Sequence, residues 1–251
     1  MKQLIAIIVF SLIGTHLFSQ DLPTMLNEAD KLEKKLKEGE ALKKYQEIVK
    51  IQSTNLKALW KCSELSSRIG NREKDKTAKH NYFASAQTYA ESALKSDSTS
   101  SDANYAMAMA LGYLALELKS TREKVSKINE VKIYADKSIK YNDANPKAWF
   151  VLGRWHFEVA SLTAVEKSAV KLFYGGLPLA SYNEAIKNFQ KAAKLDKYFV
   201  ANSYIMAMAY FKLNDKVNAM EVLQKLIKMP TRTEDDETYK ADAKRVLLMM
   251  Q

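Results

Sequence analysis

Residues Asn145–Phe157, NPKAWFVLGRWHF, decide the fold. Asn145 is suited to cap a helix by accepting a hydrogen bond from a free backbone N–H. Pro146 fits the first turn, where its missing donor costs nothing. Trp149, Leu152, Gly153 and His156 then fall three to four residues apart, on one face of that helix.

Working outward, the same spacing returns along the chain. Ala41, Tyr45 and Ile48 lead to Gln52 and, seven residues on, to Leu59. Ala86, Ala90 and Ala93 lead to Asp97 and Asn104; Val131, Ala135 and Ser138 lead to Asn142 and Trp149. Ala185, Phe189 and Ala192 lead to Asp196 and Ser203, and Ala219, Leu223 and Leu226 lead to Pro230. Five sets with one internal spacing are a repeat. The order Pro, large aromatic, Leu-Gly, ring in the quoted stretch resembles the first helix of a tetratricopeptide (TPR) unit.

The starts at 41, 86, 131, 185 and 219 give periods of 45, 45, 54 and 34 residues. The last is the ordinary TPR length. Eleven further residues are about three turns at roughly 3.6 residues per turn, so longer helices absorb them without losing the buried face. The 54-residue step carries an insertion, Ser161–Ala180. The expectation is an all-α, TPR-like helical-hairpin solenoid with lengthened helices and one insertion. Seven Gly and four Pro in 251 residues agree, because many tight β-turns would need more.

Residues 1–20 read as a signal peptide: Lys2 gives the positive start, Leu4–Phe18 the apolar run and Ser19 a small residue at the cut. The expected location is therefore exported, periplasmic or secreted. Retention of the segment would instead make it a membrane anchor, with membrane contact expected only in that case. The repeat domain then spans 21–251. Its Pro23–Ile51 stretch reads as two helices broken at Gly39, the first with Met25, Leu26, Ala29, Leu32 and Leu36 on one face. Ser120 with Glu123 and Ser181 with Glu184 are capping boxes, and Thr233 with Asp236 is a similar pair. Residues 234–250 form an amphipathic helix, with Tyr239, Ala243, Val246, Leu247 and Met250 on one face, placed to cap the last repeat.

Composition argues against most chemistry. The net charge is +10, yet 33 of the 39 basic residues are Lys and alternate with Glu and Asp along helices. That pattern is a solvated surface, since nucleic-acid sites lean on Arg for bidentate contacts. Cys62 stands alone and reads as a small buried residue. His156 fits a packing position and His80 an exposed helix start. Gly175-Gly176-Leu177-Pro178 reads as a helix stop and turn. Glu234–Glu237 complements a helix dipole. No metal or cofactor motif is present, so neither is expected, and the chain reads as a non-enzyme.

From about Leu56 to Leu247 the chain resembles the regulator of microtubule dynamics family. The residues that carry this are ALW at Ala58–Trp60, NPKAWFVLGRWHFEVA from Asn145, AVKLFYGGLPLASYNEAIKNFQKAAKLD from Ala169, and YFKLNDKVNAMEVLQK from Tyr210. The resemblance implies a TPR-like helical fold. It also brings the family's associations, since animal members have been linked to microtubules and to membrane contacts.

The candidate site follows from the repeat. One position after each anchor stand Trp60, Tyr105, Phe150 and Tyr204, and four residues further stand Glu64, Met109, Arg154 and Met208. In TPR units these positions face the concave groove. Four aromatics in register would form a ladder for an apolar or extended peptide, with Arg154 and Lys147 to hold a carboxylate. The same rings also suit a core, if longer helices and the insertion fill the groove from within. The functional expectation is a scaffold that binds a protein or peptide partner on its concave helical face. The alternative is an envelope or membrane-contact structural protein held by an uncleaved N-terminal helix.

Overall fold

The computed structural model describes residues 22–250, and the twelve elements among them are all α-helices. Helix α1 covers 22–34 and α2 covers Glu38–Ile51. Next come α3 (Leu56–Arg72), α4 (Lys76–Ser96), α5 (Ser101–Glu117) and α6 (Thr121–Tyr141). Helices α7 (Pro146–Ser161), α8 (Ala164–Tyr174) and α9 (Tyr182–Leu195) follow, then α10 (Val200–Lys212), α11 (Lys216–Leu226) and α12 (Asp236–Leu248). Residues 1–20, read from sequence as a signal peptide, lie outside the described residues.

All fifteen residues of the five repeated triads are buried, from Ala41, Tyr45 and Ile48 through to Ala219, Leu223 and Leu226. Each triad is the inward face of a hairpin's second helix, packed on the first helix of its own unit. The long periods arise as expected, because α4 and α6 run 21 residues each, against 14 for α9 and 11 for α11. Gly153 explains the Leu-Gly pair in the opening stretch. A Cβ there would come within 2.6 Å of Phe189 ring carbons, so α7 and α9 approach as closely as they do because no side chain intervenes.

Side-chain caps set the boundaries. Asn145 accepts from the Lys147 N–H, with Pro146 at the first helical position. Ser120 accepts from the Glu123 N–H and Ser181 from the Glu184 N–H. Gly175, at φ +79°, ends α8, and the Gly176 N–H closes the turn on the Val170 carbonyl.

Two sequence expectations are corrected. The break in the first hairpin falls at Leu36, not at Gly39, which lies in the first turn of α2. Leu36 takes φ 59° while the Lys37 N–H bonds to the Leu32 carbonyl and the Leu36 N–H to that of Glu33, a Schellman ending formed without glycine. Thr233 does not cap α12. Asp236, the first residue of α12, reaches back to accept from the Thr233 N–H, the Thr233 hydroxyl and the Arg232 N–H. Trp149 is half-buried, its indole N–H donating to the Asp143 carbonyl at 2.6 Å with Lys191 over its ring.

The first helices of successive units touch one another, α3 on α5, α5 on α7 and α7 on α10, whereas the second helices pack on first helices and not on each other. The stack therefore bends with its first helices inside, and their free sides form one inner face. Helix α12 packs on α10 and α11 at the end of the row.

Candidate partner-binding face

Helical periodicity puts Trp60, Glu64, Arg68 and Arg72 in one stripe on α3. Tyr105, Met109 and Tyr113 form the stripe on α5, and Lys147, Phe150 and Arg154 that on α7. Tyr204 and Met208 continue the face on α10.

Trp60, Tyr105 and Lys147 come together around Glu64. This carboxylate is 2% exposed and accepts from the Tyr105 hydroxyl at 2.9 Å, from Lys61 at 3.1 Å and from Lys147. The Lys147 ammonium also stands 5.1 Å from the Trp60 ring centre and 5.4 Å from that of Tyr105, where the negative ring faces favour a cation. Burial on its own would raise the Glu64 pKa. Lys147 and Lys61 outweigh it and hold the carboxyl down at about 2. Burial pulls the Lys147 ammonium below its ordinary value, with Glu64 opposing. Since about a third of the Lys147 side chain remains in solvent while Glu64 is enclosed, the attraction prevails and the pair is ionised.

Phe150 and Arg154 lie further along. Phe150 leans on Phe199, ring centres 4.8 Å apart, and on Phe189 at 6.2 Å. The Arg154 guanidinium lies 5.3 Å from the Tyr113 ring centre, with one N–H 3.5 Å from the Tyr113 hydroxyl and its Nε 3.7 Å from Glu158. Both residues line an apolar cleft of about 210 Å³ between α5, α6 and α7, with Met109, Tyr113, Leu116 and Ile128. Tyr204 instead packs on Tyr239 of α12, ring centres 5.2 Å apart. The six expected residues thus share the inner face, but the aromatics do not form one ladder. Tyr105 is 4% exposed, with its hydroxyl held by Glu64, and the rings divide among three separate contacts.

Four residues that complete this face, Arg68, Arg72, Tyr113 and Glu38, were missing from the sequence reading. The first three continue the four-residue spacing from Trp60 and Tyr105, which is visible in the sequence. Glu38 is fully buried and bonds to both Arg68 and Arg72, the latter at 2.7 Å. From the opposite end of the chain, Glu234 lies 3.0 Å from Arg72, and Asp235 lies 3.0 Å from Arg72 and 3.9 Å from Arg68. The Glu38 N–H donates to the Glu234 carboxylate at 2.8 Å, and the Glu234 N–H returns a bond to the Glu38 carboxylate at 3.0 Å. The two ends of the solenoid are joined.

Among the described residues, His80, His156 and Cys62 sit apart from this face. His156 is buried edge-on to Trp155, and burial lowers its pKa; His80 is exposed. Burial pushes the Cys62 thiol up to about 12.

Stacked hairpins with first helices inside define a TPR-like solenoid. A TPR protein of Thermus thermophilus superposes with a TM-score of 0.64 at 11% identity, covering 89% of this chain and 99% of that one. Residues 25–251 match the family described as Regulator of microtubule dynamics protein 1-3, and the chain belongs to it. It is 25% identical over 212 residues to Regulator of microtubule dynamics protein 1 of Mus musculus, covering 83% of this chain and 69% of that protein. It is 22% identical over 238 residues to Regulator of microtubule dynamics protein 2 of Bos taurus, covering 93% of this chain and 57% of that protein. The chain thus spans between half and about two-thirds of the length of these relatives.

Proposed function

We propose that this protein is a non-catalytic scaffold that binds a protein or peptide partner on the inner face of its helical stack, and that it is exported to the periplasm or secreted. The observation that carries the binding reading is Arg154, a loosely partnered cation on the inner face beside an apolar cleft. Lys147 stands beside aromatic rings but is engaged by Glu64, whereas Arg154, beside the Tyr113 ring, has no polar partner closer than 3.5 Å among the described residues. Guanidinium groups with unused donors beside an apolar cleft suit an acidic or carboxylate-bearing chain.

Affinity capture from native cells tests this, comparing wild type with Phe150→Ala/Arg154→Glu after both show equal helicity and cooperative melting. The expected outcome is a partner retained by the wild type and lost from the variant. A folded variant that keeps every partner moves the site off this face and sinks the reading. Sequencing of the mature N-terminus tests export, with a start near Gln20 or Asp21 expected.

A further inference from the structure

The inner face is already crossed by a piece of this chain. Glu234 and Asp235 engage Arg72 and Arg68 on α3, and one helical turn further the Tyr239 ring lies on Tyr204 of α10. Burial pushes the Tyr239 hydroxyl up to about 12, with the Arg154 guanidinium of α7 opposing the rise. Residues 234–239 therefore reach from α3 to α10, touching Arg68, Arg72 and, of the residues assigned to partner binding, Tyr204.

This occupant fits incompletely. Arg68 Nε and Arg72 Nη1 are buried at the contact without a hydrogen-bond partner, although Asp235 lies 3.9 and 3.0 Å from them. A buried donor that makes no hydrogen bond is costly, and a ligand that met it would relieve that cost. Beside the same segment a polar cavity of about 320 Å³ remains between Asp30, Glu33, Lys61 and Arg232. The contact is also ionic and partly wet, with Glu234 about one-third exposed, so it is weaker than an apolar seam. Downstream, Ala243, Val246 and Leu247 pack against the α10–α11 pair, which gives α12 an anchor independent of Glu234 and Asp235.

We propose that residues 234–239 are an intramolecular stand-in for the partner, and that the partner presents the same chemistry: an acidic segment with an aromatic residue one helical turn beyond its carboxylates. This rests on the scaffold reading above and adds to it a ligand class and a regulatory step, displacement of the chain's own segment.

The test uses the full chain and a fluorescent peptide of residues 230–241, PTRTEDDETYKA, followed by anisotropy. Glu234→Lys/Asp235→Lys removes the internal competitor while leaving the receiving side chains intact. Expected is at least tenfold tighter peptide binding than to wild type, lost again when Arg72→Glu is added and absent for a peptide with Lys at both acidic positions. A folded variant that binds the peptide no tighter than wild type overturns the proposal, as does equal binding of the charge-reversed peptide. Should the Lys variant not melt cooperatively, Glu234→Gln/Asp235→Asn replaces it with the same two outcomes. If neither variant folds, the segment is core and the proposal fails. The scaffold reading is judged separately: a partner captured by the wild type and lost with Phe150→Ala/Arg154→Glu upholds it whatever the peptide does.

Discussion

Glu64 is the residue on which the inner face depends. It is enclosed, yet it is the shared acceptor for Lys61, Lys147 and Tyr105. Glu64→Gln leaves two ammonium groups facing each other over a neutral amide, which is expected to cost on the order of 3 kcal/mol. Its folded pKa of about 2 lies below the ordinary 4.5. The ionised form therefore favours the fold above 4.5, and that contribution drains away as pH falls towards 2. Urea midpoints measured between pH 5 and 2 should drop more steeply for wild type than for Glu64→Gln; parallel curves would show that Glu64 carries no such linkage. From sequence Glu64 was legible as a groove position but not as a buried acid, because nothing local marks Lys147, 83 residues away, as its counter-ion.

At the scale of helices and hairpins the sequence was far more informative. A triad at spacing four and three must face inward wherever a helix packs on another, so all five could be located without coordinates. Boundaries followed wherever a side chain makes the cap, as at Asn145 and Ser181. They failed at Leu36, where backbone bonds close the helix and the residue type gives no warning. The acidic run at 234–237 was read as a dipole partner for its own helix. That holds for Asp236 and Glu237 in the first turn, while Glu234 and Asp235 serve Arg72 and Arg68 across the molecule. Gly153 tests the hairpin geometry. Gly153→Ala improves intrinsic helix propensity, yet its methyl meets Phe189, so a loss of about 1–3 kcal/mol is expected from overpacking. Thermal melting decides which effect wins, and a stabilised variant would show that α7 and α9 can separate at little cost.

For the whole molecule, a solenoid has a stability that is roughly a sum over neighbours, which leaves its terminal units to open first. Here residues 38 and 234, 196 apart in sequence, exchange backbone-to-carboxylate bonds, so the first hairpin and the last helix support each other. Removing residues 230–251 should therefore speed amide hydrogen exchange in α2, at the far end of the chain, as well as in α10 and α11. Exchange in α2 left unchanged by the truncation would mean that the ends act independently. Raised salt should imitate the truncation in part, since the junction is ionic and Arg72 and Glu234 keep some contact with solvent. Joining these two places turns a line of springs into a hoop held by a clasp: while the clasp is shut a tug at one unit is shared round the ring, and once it opens the ring becomes a line again.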